Sequence, residues 1–272
     1  SKGVARYTAN FSVTTPTPTA AFNVPTLTST DTHWDKVAFL LQSEAADGNT
    51  TFTDSSKNKH TITYAGTVRH ETDSKKFGNS SIYIAQSKTN YLDIPDSPNF
   101  TFGAGDFTIE YWIKRGTNHS TNWQYPWCWM GTDGTEDIGL RFEGNTTART
   151  WWMGTGGTHI AAAGGSFTIP DHGTTDFHHH AFVRYGTTYK VYINGVAKFN
   201  GTLGATDAIA DFPESLRIGT HGHWNHNDYD WGFDGYFEEF RITKGVARYT
   251  ADFADSLPTA AFPTGTTTWG TT

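Results

Sequence analysis

The sequence predicts an all-β protein built as a two-sheet antiparallel sandwich, and three observations lead there. Aromatic residues form 15% of the 272 residues, with 10 Trp, while charged residues reach only 17%; β-branched and aromatic side chains suit a pleated, half-buried surface. Short apolar or alternating stretches are divided by clusters of Gly, Asn and Asp, which is the punctuation of strands and turns. No segment carries a long apolar helical period.

Taken in order, Val37–Ser43 is a continuous apolar run. His60–Gly66, Ser81–Ala85 and Tyr91–Pro95 are short and alternating. Phe107–Lys114 alternates most clearly: Phe107, Ile109, Tyr111 and Ile113 share one face, and Thr108, Glu110, Trp112 and Lys114 the other. His178, His179 and His180 read as an ordinary apolar strand; adjacent side chains point to opposite faces, so only His178 and His180 could share a ligand. Tyr189–Phe199 reads as a hairpin with Asn194-Gly195 in a type I′ turn. Leu216–Thr220 and Gly235–Thr243 complete the set.

Composition excludes some partners. A net charge of −7 without a basic stripe disfavours nucleic acid. No apolar run approaches the roughly 20 residues of a membrane-spanning helix, so membrane insertion is not expected. Cys128 is the single cysteine, so no disulfide forms within the chain, and a small buried apolar role suits it.

The chain repeats itself. KGVARYTANF (Lys2–Phe11) returns as KGVARYTADF (Lys244–Phe253), and PTAAF occurs at Pro18–Phe22 and at Pro258–Phe262. A period of about 240 residues suggests tandem units. The expected division is residues 1–33 as the tail of a preceding repeat plus a Thr/Pro-rich linker, 34–262 as one domain, and 263–272 as a C-terminal linker or tail. Two near-identical segments can also compete for one docking site, the raw material of end-to-end assembly.

The ordered series LLQSEAADGNTTFTDSS, KFGNSSIYI, YLDIPDSPNFTFGAGDFTIEYWIKR, FHHHAFVRYGTTYKVYINGV and FDGYFEEFRITKGVARYT resembles the laminin-G-like, concanavalin A-like jelly-roll module. It is similar in particular to copies in phage and marine-microbial surface proteins. The resemblance implies two face-to-face antiparallel sheets, glycan or protein binding at the rim loops, and often a structural or ligand-bridging calcium. It implies Ca²⁺ near the early loop, with Asp47, Asp54 and Asn58 as oxygen donors and Glu238 approaching from the closing strand. The competing reading of Asp54-Ser55-Ser56 is a turn in which Asp54 caps its own backbone.

Catalysis is not expected. Glycoside hydrolysis needs two carboxylates at a set separation, and the Glu-x-Asp-x-x-Glu strand pattern of the glucanases of this fold is missing from the sequence. Glu238 and Glu239 are adjacent, which by strict alternation sends them to opposite faces. Binding is better represented. His221–Phe233 (HGHWNHNDYDWGF) reads as a rim loop whose Trp224, Tyr229 and Trp231 offer flat faces to a sugar ring. Its Asn225 and Asn227 supply the donors and acceptors that hydroxyls need. A second aromatic stretch, Asn118–Trp129, reads as a loop bringing Trp123 and Tyr125 to the same rim. The expected role is a non-catalytic adhesion module on an extracellular or virion surface, binding a surface glycan or protein receptor. The alternative is a structural subunit that contacts its own copies end to end through the duplicated segments.

Overall fold

The computed structural model describes residues 30–117, 123–130, 137–142, 148–155, 158–159, 165–168, 175–209, 211–221 and 231–265. Its strands in chain order are β1 (Val37–Leu41), β2 (Thr63–Ala65), β3 (Val68–Glu71), β4 (Ser81–Ile84), β5 (Tyr91–Ile94), β6 (Phe107–Arg115), β7 (Gln124–Met130) and β8 (Asp137–Phe142). There follow β9 (Ala148–Thr155), β10 (Thr158–His159), β11 (Gly165–Thr168), β12 (His178–Tyr185), β13 (Thr188–Ile193), β14 (Val196–Thr202), β15 (Leu216–Ile218) and β16 (Gly235–Lys244). One sheet runs β14-β13-β12-β6-β16-β4-β3, with β1 also on β16; the other runs β10-β9-β8-β7-β15-β5-β2, with β11 on β9. The sandwich expected from the sequence is the fold observed.

The alternation read in β6 explains the core. Phe107, Ile109, Tyr111 and Ile113 are buried between the sheets with Phe182 and Val191 of one layer and Trp127, Trp129, Leu140 and Ile218 of the other. Burying each such side chain contributes about 1.5–3 kcal/mol. Trp127 Nε1 donates to Tyr111 Oη across the layers at 2.8 Å, so this pair of large core groups brings no unsatisfied polar atom with it. The Asn194-Gly195 hairpin turn is present between β13 and β14; both residues have positive φ, 47° and 74°, as a type I′ turn requires.

One strand departs from simple alternation. Between Glu238 and Arg241 the pairing of β16 with β6 shifts register, and Glu239 takes φ 55°, the left-handed region that non-glycine residues avoid. The bulge lets Phe237 and Phe240, three residues apart, both reach the core. It also corrects the expectation for the two glutamates. Glu238 reaches the loop amides of Lys76 and Phe77, and Glu239 reaches Phe262 N and Gln42 Nε2. Both carboxyls therefore belong to the layer covering the outer face, and neither enters the core.

The second departure concerns solvent. An antiparallel sheet often leaves one face wet, yet Thr108, Glu110 and Trp112 on the outer face of β6 are all buried. Thr108 and Glu110 are covered by the segment after β16, which carries the second KGVARYTADF, and Trp112 by Lys76 and Phe77 of the β3–β4 loop. Tyr249, Phe253 and Leu257 close over Ala181, Val183 and Tyr192. Phe262 closes over Val37 and Leu40.

Candidate functional site

The predicted binding residues fall into two groups. Trp224, Asn225, Asn227 and Tyr229 lie outside the described residues. Trp123, Tyr125 and Trp231 are brought together. The Trp231 ring lies 5.6 Å from that of Trp123 and 5.5 Å from that of Tyr125, centroid to centroid. Tyr125 N donates to Trp231 O at 3.2 Å, which ties the start of β7 to the segment entering β16.

The stretch read as a second rim loop is in fact largely strand. From Gln124 onward it is β7, a central strand between β8 and β15, and its Trp127 and Trp129 point into the core. A register shift between Gln124 and Trp127 turns Tyr125 out of the core to pack with Cys128 and Trp231. Cys128 has the small buried role expected of it.

Within this group the residues differ in what they offer. Tyr125 and Trp231 are buried and serve as a base, whereas Trp123 is 40% exposed. Arg141 of β8 lies over the Trp123 ring with its guanidinium carbon 3.8 Å from the centroid, a cation–π arrangement that holds the indole upright. His221 packs against Tyr125 at 4.3 Å and edge-on to Trp231 at 5.2 Å. Sequence reasoning alone does not find Arg141 or His221. His221 opens the stretch singled out for its Trp and Asn, but Arg141 carries no local signal, because only strand pairing brings it to Trp123.

The proposed calcium ligands are not gathered at one point. Asp54 is buried and spends its oxygens within the protein: Oδ1 accepts from Leu40 N and Ser56 N, and Oδ2 accepts from Ser56 Oγ and His60 N and lies 2.7 Å from His60 Nδ1. That is the backbone-capping turn weighed against calcium. Asn58 Nδ2 donates to Ala38 O, and Asp47 accepts from Thr72 N. Glu238 sits instead with the β3–β4 loop, where Glu44 accepts from Asn79 N. Burial and the nearby Glu239 and Glu44 charges push Glu238 up to about 8 despite its two amide donors. Burial likewise raises Glu239 to about 7. Among the described residues no group of three His, Cys, Asp or Glu side chains is arranged to hold a metal.

The covered outer face holds a second constellation. Glu110 Oε1 accepts from Arg241 Nε and Nη2 at 3.0 and 2.7 Å, and Oε2 accepts from Tyr249 Oη at 2.7 Å. Burial alone would raise this carboxyl, but Arg241, His179 and Arg248 hold it well below the usual range. Asp31 receives Arg241 Nη1 and both terminal nitrogens of Arg248. Its own carboxyl is lowered in the same way, against burial, by Arg248 and Arg241. These groups are saturated by one another, which suits fastening rather than chemistry. The His178–His180 run is strand, as expected: His179 faces Glu110 at 3.2 Å, and His180 Nδ1 lies 3.3 Å from Tyr111 Oη on the core side.

Residues 86–248, more than half of the chain, match the laminin G-type family described as the concanavalin A-like lectin/glucanases superfamily. No curated protein sequence matches the chain. Among solved structures it resembles the binding domain of Paraclostridial Mosquitocidal Protein 1, with TM-score 0.61 and 13% identity over 78% of this chain and 50% of that one. The receptor binding domain of botulinum neurotoxin C/D mosaic serotype gives TM-score 0.59 and 14% identity over 79% and 49%. Domain 4 of AbnA, an extracellular arabinanase of Geobacillus stearothermophilus solved with arabinotriose, gives TM-score 0.53 and 22% identity over 78% and 94%. The chain thus spans about half the length of the toxin binding domains and nearly all of the arabinanase domain. At these identities the likeness is one of fold.

Proposed function

The chain belongs to the concanavalin A-like lectin/glucanases superfamily, and from that premise we propose that it is a non-catalytic adhesion module binding surface glycans. The carrying observation is Trp123: an indole 40% exposed, backed by the buried Trp231 and Tyr125 and steadied by Arg141. A sugar ring presents an apolar face of C–H groups, and a preset, partly exposed aromatic meets it at little ordering cost. The adjoining stretch 222–230 is rich in Asn, Asp, His and aromatic residues, the composition that hydroxyl groups need. The arabinanase domain solved with arabinotriose lends support from the same fold. We also propose an extracellular or virion-surface setting, supported by the resemblance to phage and microbial surface modules. Among the described residues no helix is long and apolar enough to cross a membrane.

The test is a broad glycan array with the purified chain beside Trp123→Ala, run in calcium and again in EDTA. Binding should appear for the native chain and fall by about tenfold or more in the variant, a loss of about 1.4 kcal/mol or more. Loss in EDTA alone would bring a calcium ion into the site. No glycan bound by the native chain in either buffer overturns the reading.

A further inference from the structure

The segment after β16 acts as a strap, and each of its anchors is specific. Gly245 N donates to Asp106 O, and Arg248 N donates to Thr108 Oγ1. Arg248 clasps Asp31, Tyr249 Oη donates to buried Glu110, and the rings of Tyr249 and Phe253 stack at 3.7 Å over His179 and Tyr192. Asp252 Oδ1 accepts from Ala197 N, and Phe253 N donates to Gly195 O. Gly195 has no room for a side chain: a Cβ there would stand 2.5 Å from Ala254 N. The face is thus a fitted receptor for Gly-x-x-Arg-Tyr-x-x-Asx-Phe.

The same sequence occurs once more, at Gly3, Arg6, Tyr7, Asn10 and Phe11. Its single change within the motif, Asn10 for Asp252, keeps the side-chain oxygen that accepts the Ala197 amide. The described chain begins beside the receptor: Thr30, Asp31 and Thr32 line one side of a groove of about 340 Å³ whose other side is Pro258–Pro263 with Arg241 and Arg248. The 18 residues from 12 to 29 can extend about 60 Å, enough to reach a neighbouring molecule. We propose that this face is an exchange site between copies of the chain, in which residues 2–11 of one copy replace residues 244–253 of another. Two copies meeting at this face present their N-terminal segments to each other's receptor. The inference rests on the strap and not on the glycan reading.

The resident strap is tethered and therefore favoured by its high effective concentration, so exchange grows with protein concentration and with any weakening of that strap. Mass is measured by light scattering across a wide concentration range for the native chain, for Tyr249→Phe, and for each combined with Arg6→Ala/Tyr7→Ala. Tyr249→Phe removes one hydroxyl and keeps the ring, so the fold is retained. The expected result is a rise in mass with concentration, appearing at roughly tenfold lower concentration in Tyr249→Phe, as a lost hydrogen bond of about 1.4 kcal/mol would give. Arg6→Ala/Tyr7→Ala should abolish the rise, and a free peptide of residues 1–12, but not its scrambled form, should reverse it. A monomer at every concentration in both the native chain and Tyr249→Phe overturns the proposal. So does an oligomer unchanged by Arg6→Ala/Tyr7→Ala. A monomer whose Tyr249→Phe form melts lower once residues 2–11 are altered also overturns it, by assigning the segment to its own receptor.

Discussion

On the outer face of the first sheet, Glu110 has no exposed surface and is bound by Arg241 and Tyr249 beneath a strap; at the start of a central strand of the second, Trp123 stands 40% exposed on an aromatic base. The two regions come from the same kind of antiparallel strand. They differ in the segment of chain that adjoins each one. β16 runs on into a segment that folds back over β6 and β12, and its charges are matched within the protein. β7 is preceded by a stretch that delivers an indole and leaves it partly uncovered. Saturated polar groups favour one docked arrangement, while an uncovered aromatic is available to something else.

The strapped face is most severely broken at Glu110. Glu110→Ala leaves Arg241 and Arg248 facing a buried hole, and removing one partner of a buried pair costs about 3–5 kcal/mol. Denaturant unfolding should show that loss, with proteolysis at the strap rising in parallel. A loss below about 1 kcal/mol would mean that solvent already screens the network.

A pH titration separates the strapped face into two opposing parts. Glu238 and Glu239 are raised from 4.5 to about 8 and about 7. A raised carboxyl stabilises fully below its unfolded value and loses that contribution as pH climbs through the folded one. Glu110 and Asp31 are lowered, so their contribution is present above the unfolded values and is lost on acidification. Stability should therefore peak near pH 5 and fall towards pH 8 by an amount on the order of a few kcal/mol. Glu238→Gln should flatten the alkaline limb and leave the acid limb in place. A Tm that climbs steadily from pH 5 to 8 would contradict the burial of both glutamates.

Gly195→Ala tests the strap without touching a charge. The new methyl meets the Ala254 and Phe253 backbone at a site where φ is 74°. Strain of about 1–3 kcal/mol is expected, and limited proteolysis after residue 244 should rise. A strap that stays protected would show that the hairpin shifts to accommodate the methyl.

These regions also differ in how far they can be read from the sequence. The β6 alternation and the Asn-Gly turn are local patterns, so they announce the core and the β13–β14 hairpin directly. The strap is visible as a repeated phrase, but its contacts are not, because Glu110, Asp31 and Tyr249 are far apart in sequence. The Glu238–Glu239 placement escapes a reading by alternation, since a bulge defeats that pattern without a glycine to mark it. Asn118–Trp129 reads as a loop because its Trp and Pro content resembles a binding rim, whereas Trp127 and Trp129 are core. The calcium set is hard to read for a related reason. Asp54 lies in a turn-forming stretch whose serines and histidine satisfy it, and spacing alone does not distinguish capping from coordination.

The smallest effect on stability should come from Trp123, the residue proposed to meet the glycan. Trp123 projects from the start of β7 with 40% of its surface exposed, and its ring partners are the half-buried Arg141 guanidinium and Trp231. Trp123→Ala should change stability by no more than about 0.5 kcal/mol, as surface substitutions usually do. Trp231→Ala, at 8% exposure and packed on Tyr125, Trp123 and His221, should cost several times as much. Measured together with glycan binding, the pair distinguishes a contact residue from its support. If Trp123→Ala keeps its stability and loses binding, the indole meets the ligand. If Trp123→Ala unfolds the chain as readily as Trp231→Ala, the indole is part of the fold, and the second face is closed in the same sense as the first.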